Sequence, residues 1–140
     1  MIRTWLLMIF LSICAATDWK TKKILLPVLV FFAAAGIVCY IIARPTGLVD
    51  EILGLLIGLI FIALAAATEG KIGLGDALLM VVTGIYLGGR ENMAMIMGAM
   101  LMAAGYGAVR LMTKKADKNT EMAFVPFVLL SFVIRQVFFL

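Results

Sequence analysis

The sequence predicts an all-α polytopic membrane protein with six transmembrane helices and with both termini outside the cell. Three observations support this prediction: hydrophobic residues make up 65% of the 140 residues, charged residues make up only 14%, and the mean hydropathy is +1.17. A soluble domain carries about 25% charged residues. Because the hydrophobicity extends along nearly the whole chain, a single anchor on a soluble domain is excluded. Residues 1–140 are therefore interpreted as one six-span membrane domain.

A membrane helix needs roughly 20 apolar residues, and six such stretches follow one another along the chain. The predicted spans are Ile2–Thr17, Ile24–Ala43, Ile52–Thr68, Ala77–Gly89, Met93–Met112 and Met122–Leu140. Polar or glycine-rich connections separate them, at residues 18–23, 44–51, 69–76, 90–92 and 113–121. The fourth span is short, at about 20 Å of helix against a hydrocarbon core of about 30 Å.

Small residues recur at helical spacing in two of these spans. Gly54 and Gly58 lie four residues apart in the third span, and Gly84 and Gly88 do so in the fourth. This spacing is typical of helices that approach each other closely in lipid. It predicts packing between spans and carries no information about chemistry.

The basic residues predict the orientation of the spans. Eight lie in or beside the first, third and fifth connections, namely Lys20, Lys22, Lys23, Lys71, Arg110, Lys114, Lys115 and Lys118. The opposite side has four: Arg3, Arg44, Arg90 and Arg135. By the positive-inside rule the odd connections face the cytoplasm. The net charge of +4 is thereby explained by short loops at a lipid bilayer, and no nucleic-acid partner is expected.

The residue types exclude several classes of catalytic site. The chain has no histidine, so Ser-His and Cys-His nucleophile pairs and H-E-x-x-H zinc sites are impossible. Cys14 and Cys39 form no C-x-x-C pattern and are interpreted as small packing residues. No metal and no cofactor are therefore expected. Hydrolytic chemistry would have to come from carboxylates.

Two aspartates stand out among the acidic residues. Asp18 directly follows the first span and Asp76 directly precedes the fourth. Two spans lie between them, so both carboxylates are expected on the same side at similar depth. Such carboxylates are costly and usually line a water-filled cavity or a functional site. By contrast, Asp50, Glu51 and Glu91 on the other side are interpreted as solvated loop charges.

The glycines at positions 70, 73 and 75 precede Asp76. They are typical either of a flexible connector or of a loop that holds an extended peptide close to Asp76, and the spacing alone does not decide between the two.

Two adjacent carboxyl groups cannot both ionise readily, so one keeps a proton while the other stays charged. The charged one can take a proton from water, and the protonated one can donate a hydrogen bond to a carbonyl under attack. Such a pair can cut an amide without histidine, serine or metal.

The sequence Gly73-Leu74-Gly75-Asp76, with Asp18 closing an earlier span, resembles the prepilin peptidases, which are G-x-G-D membrane aspartic proteases. The spacing from Asp18 to Ile24 also matches, although Leu25-Leu26 replaces the usual Pro-Asn. Leu78 stands where the family usually has lysine. In the last span, Ala123-Phe124-Val125-Pro126-Phe127 keeps part of a Pro-Phe-Gly-Pro-Phe-like stretch.

The resemblance implies an aspartic endopeptidase, a hydrolase of the prokaryotic inner membrane. It would cleave the basic leader of a type IV prepilin-like protein at the cytoplasmic face, typically after a glycine. Asp18 and Asp76 would be catalytic, and Gly73 and Gly75 would shape the substrate loop. Glu69 would attract the basic leader or pair with Lys71. Larger members also carry a four-cysteine region and N-methylate the new terminus; that region is not recognised here, so a peptidase without a dedicated methyltransferase domain is expected.

Two alternatives remain open from the sequence. Presenilin-like enzymes also use G-x-G-D, but they resemble longer, nine-span proteins whose aspartates lie deep inside spans. A small transporter or proton-relay subunit could also use paired carboxylates. Against the latter, both aspartates lie near one surface and no acidic residue occupies the interior of a predicted span.

Overall fold

The computed structural model describes residues 1–43, 47–69, 71–114 and 122–138. This part of the chain forms five helices and no strand: α1 Ile2–Thr21, α2 Leu26–Ala43, α3 Leu48–Ala67, α4 Leu74–Met112 and α5 Val125–Phe138. The first four are long and apolar enough to cross a membrane, and α5 is a shorter apolar helix. The predicted all-helical membrane class is confirmed.

Three helices, α1, α3 and α4, extend further into the predicted connections than expected, and α4 begins at Leu74, ahead of the predicted Ala77, so that Asp76 lies inside its first turn. Helix α1 continues to Thr21 and ends where Lys22 takes a left-handed conformation (φ 52°) and donates its backbone N–H to the Asp18 carbonyl at 2.8 Å. Asp18 therefore lies within the last turn of α1 and not after it. Helix α3 begins at Leu48, ahead of the predicted Ile52, because acidic residues in a first turn stabilise a helix N-terminus.

Helix α4 is a hairpin of two antiparallel arms. A straight helix of its 39 residues would be about 58 Å long, nearly twice the hydrocarbon thickness. Instead, the Asn92 side chain accepts a hydrogen bond from the Thr83 hydroxyl at 2.8 Å and donates one to the Met80 carbonyl at 3.2 Å. In a straight helix residues 83 and 92 would lie about 13 Å apart. The chain therefore reverses between a first arm, residues 74–87, and a second arm, residues 89–112.

The reversal occurs at Gly88, which has φ 77° and ψ −179°. This combination is open essentially only to glycine. The predicted connection at residues 90–92 is wrong in position, because these polar residues lie inside the second arm. Asp50 of α3 explains how that arm begins: its carboxylate accepts the backbone N–H of Arg90 at 3.1 Å and so caps the helix.

The described residues thus form six helical segments that alternate in direction. The first arm runs parallel to α2 and antiparallel to α3, and the second arm runs antiparallel to α5. The contacts that set these directions are Ile24 with Gly75, Gly36 with Tyr86, Gly54 with Gly84, Gly58 with Val81, Met95 with Ser131 and Glu91 with Arg135. We call the end of the bundle that holds Asp18 and Asp76 the aspartate end, and the opposite end, which holds Arg3, the arginine end.

The helices pack through small residues and a shared apolar core. A Cβ on Gly54 would lie 2.7 Å from the Gly84 carbonyl oxygen, so α3 and the first arm touch through their backbones. This confirms the packing predicted from the glycine spacing. The core comes mainly from α1, both arms of α4 and α5, with Phe10, Met95 and Phe132 among its fully buried side chains. Cys14 is buried in it as predicted, and Cys39 is half-buried.

At the arginine end, Glu51 and Glu91 form ion pairs. The Arg3 guanidinium donates hydrogen bonds to the Glu51 carboxylate at 3.2 Å and to the Ile85 carbonyl at 2.7 Å. Glu51 is only 7% exposed, and Glu91 forms an ion pair with Arg135. The interpretation of Glu51 as a solvated charge is wrong, because α1 brings a cation to it that no local pattern announces.

Candidate active site

Asp18 lies where α1 ends and α5 begins. Its side chain is buried, at 6% exposure for the residue, and its Oδ2 atom accepts the backbone N–H of Val125 at 3.0 Å. The backbone N–H of Phe124 also hydrogen-bonds to this carboxylate. These are N-terminal amides of α5, which have no partner within that helix. Asp18 therefore caps α5 across 107 residues of sequence. Its other carboxylate oxygen, Oδ1, takes no part in the bond to Val125.

Pro126 explains part of this local arrangement. It is the second residue of α5, and proline is favoured in a first helical turn because the N–H it lacks would be unpaired there. The Phe124 carbonyl accepts the N–H groups of Phe127 and Val128 at 3.0 and 3.3 Å. The amide of Val125 is left pointing out of the helix end, towards Asp18.

Asp76 lies in the first turn of α4, three residues after the N-cap Gly73. Gly73 has φ −61° and ψ 127°, a conformation that any residue adopts. What a side chain would meet there is the carboxylate itself, since a Cβ on Gly73 would lie 3.2 Å from Asp76 Oδ2. On Gly75 it would lie 3.3 Å from the Cβ of Ile24, two residues before α2 begins. Both glycines provide room for close approach, not unusual dihedral angles.

Both aspartates line one cavity of about 510 Å³ at the aspartate end of the bundle. They lie close enough for their charges to interact. Both aspartates thus lie at the same end of the helix bundle, as the even number of spans between them predicts. The other lining residues are Lys22, Lys23, Ile24, Lys71, Gly73, Leu74, Gly75 and Met122. A cavity of this size lies within the range of about 300–1,000 Å³ that is common for ligand sites.

The three lysines that line this cavity were not predicted from the sequence as part of a site. Lys22 and Lys23 follow Asp18 by four and five residues, and Lys71 precedes Asp76 by five. Their closeness to the aspartates in sequence was the available signal, but it was used only to predict orientation. Glu69 is exposed in the turn after α3 and is not among the lining residues. Gly70 lies outside the described residues.

Among the described residues, the charged side chains that line the cavity are the carboxylates of Asp18 and Asp76 and the amines of Lys22, Lys23 and Lys71. Across the described ranges, no three His, Cys, Asp or Glu side chains cluster as a metal site would require. The cavity that both carboxylates line has room for a water molecule and a peptide segment between the helices. The carboxylates can exchange a proton with that water and with a carbonyl oxygen.

The fold and the site together define a multi-pass helical membrane protein with two aspartates at a shared cavity. This chain belongs to the type IV leader peptidase family, whose model matches residues 5–108. It is similar to a prepilin leader peptidase/N-methyltransferase of Bacillus subtilis (strain 168), with 34% identity over 121 residues. That match covers 83% of this chain but 47% of the relative, so the chain spans about half the length of the curated relative. No solved structure matches it.

Proposed function

We propose that this protein is an aspartic endopeptidase that removes the leader peptide of type IV prepilin-like proteins. Membership of the leader peptidase family supports the substrate class. The observation that carries the mechanism is that Asp18 and Asp76, which are 58 residues apart in sequence, line the same cavity. The proposed catalytic residues are these two aspartates. Residues 1–140 act as one membrane domain.

In the proposed reaction, one carboxylate is ionised and the other holds a proton, because two close carboxylates do not readily both ionise. The ionised one takes a proton from a water molecule, whose oxygen attacks the scissile carbonyl carbon. The protonated one gives its proton to the carbonyl oxygen. The tetrahedral intermediate then collapses: one of its hydroxyl groups returns a proton to the second carboxylate as the C=O bond reforms, the C–N bond breaks, and the amine leaves with the proton taken from water. Gly73 and Gly75 keep the space beside Asp76 and Ile24 open for the peptide.

We also propose the arrangement in the membrane. The six helical segments alternate in direction, which supports six spans with both termini on one side. The lysines beside the aspartate end support a cytoplasmic site in a prokaryotic inner membrane. To test this, a reporter that is active only outside the cytoplasm is fused to each terminus and to the connection between α3 and α4 that contains Lys71. Activity at both termini and none at Lys71 is expected, and the reverse pattern contradicts the orientation.

The experiment on the mechanism is co-expression with a pilin-type substrate from the same genome, scored for leader removal by gel shift. Asp18→Asn and Asp76→Asn are compared with the wild type. Asparagine caps helices as well as aspartate does, so Asp18→Asn keeps an acceptor for the Val125 amide while it removes the charge. Asp50→Asn is the matched control, because Asp50 also caps a helix but lies at the arginine end.

We expect the wild type and Asp50→Asn to cleave, and both site variants to lose at least about 100-fold in rate, as is usual when an acid–base group is removed. Membrane insertion is checked for every variant. Cleavage that survives either site substitution contradicts the two-aspartate mechanism. If the wild type cleaves nothing but moves protons across liposomes in a manner that needs Asp76, the transporter alternative replaces the peptidase.

The role of Glu69 is a separate proposal. Its side chain is exposed on the connection that leads to Asp76. There it can attract the basic leader of a substrate at a point several residues away from Asp76. Electrostatic attraction of this kind weakens as salt rises. Glu69→Gln should raise KM at low salt and leave kcat unchanged. An unchanged KM at low salt refutes the recognition role.

A further inference from the structure

The cavity that holds the aspartates has more positive than negative charge on its walls. Its charged lining residues are the lysines Lys22, Lys23 and Lys71 and the two aspartates. In the proposed reaction one aspartate keeps a proton, so a single carboxylate charge faces three ammonium groups. Two aspartates alone would repel an anion, because like charges repel. The lysines reverse the sign of the site and make it attractive to an anion.

The lysines come from two different connections. Lys22 and Lys23 follow α1, and Lys22 lies close enough to Asp18 for their charges to interact. Lys71 lies between α3 and α4. All three residues are exposed, and among the described residues neither Lys23 nor Lys71 forms a salt bridge. The ammonium groups of Lys23 and Lys71 are therefore available to an anion that enters the cavity.

Cleavage of a peptide bond generates an anion at this place. The scissile carbonyl becomes a carboxylic acid, which loses its proton to water at neutral pH because the pKa of a peptide α-carboxyl group is about 3.5. The amine on the other side of the cut takes up a proton from water, since the pKa of an α-amino group is about 8. The leader therefore ends in a negative charge inside the cavity, and the processed protein begins with a positive one.

We propose that Lys22, Lys23 and Lys71 form a binding site for the new C-terminal carboxylate of the cleaved leader, so that the leader is the last product to leave the enzyme. The same lysines repel the new N-terminal ammonium group, which makes the processed protein leave first. This inference rests on the proposed peptidase function and adds to it an order of product release. It requires the basic side chains of the leader to lie outside the cavity, because the lysines repel them as well.

The test compares two synthetic leader peptides as inhibitors of the purified protein in detergent. Both end at the residue before the cleaved bond, one in a free carboxylate and the other in a carboxamide, which has nearly the same shape without the charge. The free acid should inhibit competitively against the substrate, at a concentration at least about tenfold lower than the amide, since each of three exposed charge pairs contributes about twofold to fivefold. Higher salt should reduce this difference. The processed protein should not inhibit competitively.

Variants of the lysines assign the effect to particular charges. Lys23→Gln and Lys71→Gln should each lower the preference for acid over amide by about twofold to fivefold, and the double variant should lower it further. Lys71→Arg keeps the charge and should keep the preference. Lys20→Gln is the matched control, because Lys20 is also exposed, in the last turn of α1, but does not line the cavity. The ratio of two inhibition constants does not depend on the amount of folded enzyme.

Each outcome decides between specific alternatives. If acid and amide inhibit equally, or if neither inhibits, the product site is wrong while cleavage of the substrate still supports the peptidase function. If the double variant keeps the full preference for the acid, the lysines do not bind the carboxylate and the assignment is overturned. If the wild type cleaves no substrate, the proposed function and the product site fail together.

A carboxylate could also come from an acidic side chain of the substrate, and the same variants distinguish this source. In that case Lys23→Gln and Lys71→Gln raise KM for substrates with an acidic side chain close to the cut and not for substrates in which it is replaced by glutamine. The acid and amide leader peptides then inhibit equally in every variant. This result overturns the proposed order of product release.

Discussion

Replacing Gly73 with alanine should lower catalytic activity by about threefold to tenfold without unfolding the protein. The added Cβ would lie 3.2 Å from Asp76 Oδ2, where ordinary contacts begin at 3.4 Å, so the carboxylate has to move by a few tenths of an ångström. A displacement of 1 Å at a catalytic group can cost about 100-fold. If the logarithm of the rate falls in proportion to the displacement, a shift of 0.2 to 0.5 Å lowers the rate by about threefold to tenfold. The backbone of Gly73 is not strained by alanine, because its φ of −61° is an ordinary value.

The assay is the initial rate of leader removal by the purified protein in detergent, with thermal unfolding measured on the same samples. Gly73→Ser is the informative companion variant, because serine is a better N-cap than alanine and yet brings the same Cβ against Asp76. It should therefore be at least as stable as Gly73→Ala and still show reduced kcat. Gly105→Ala is the matched control, since a Cβ there meets nothing within 4 Å.

The result that would refute this reasoning is full activity in both Gly73 variants. It would mean that the space beside the Asp76 carboxylate is not needed for the reaction. Loss of activity in Gly73→Ala but not in Gly73→Ser would be equally damaging, because it would assign the effect to helix capping and not to crowding of the carboxylate. A reduced rate in Gly105→Ala would show that the assay responds to any change in α4.

Three substitutions test the framework that holds the site. Arg3→Met should destabilise the protein by about 3 kcal/mol because it removes one partner of the buried ion pair between Arg3 and Glu51; adding Glu51→Gln should recover most of the loss, and thermal unfolding of single and double variants checks this. Gly84→Ala should cost about 1–3 kcal/mol because its Cβ would meet the backbone of α3, whereas Gly105→Ala should not destabilise. Asn92→Leu should cost about 1–2 kcal/mol through the lost hydrogen bonds within the hairpin, and an unchanged unfolding temperature would contradict the reversal of α4.

The pairing of Asp18 with Asp76 was predictable because it depends only on counting. An even number of spans between two residues returns the chain to the same side whatever the exact helix boundaries are. The error of four residues at the end of α1 therefore did no harm to the prediction. The glycine contact between α3 and α4 was predictable for a similar reason, since a spacing of four residues places both glycines on one helix face.

The position of the turn in α4 was not predictable from local polarity. Residues 90–92 are the polar stretch between two apolar ones, and this pattern indicated a connection. Yet Asn92 is fully buried, and its hydrogen bonds go to residues 9 and 12 positions earlier. A buried asparagine and a loop asparagine look the same in a sequence, because the difference is a partner that only the folded chain supplies. Gly88 was the better signal, since glycine alone tolerates the conformation at the reversal.

Helix α5 likewise supplies a hydrogen-bond partner that only the folded chain reveals. The family match ends at residue 108, and α5 begins at Val125, yet the amide of Val125 is the hydrogen-bond partner of the Asp18 carboxylate. Sequence motifs identify the two aspartates but do not reveal what orients them. Because an oriented acid–base group depends on the groups that hold it in place, the N-terminus of α5 belongs to the candidate site as much as the loop before Asp76 does. A change in α5 that shifts the Val125 amide should therefore lower kcat even though no catalytic group has been altered.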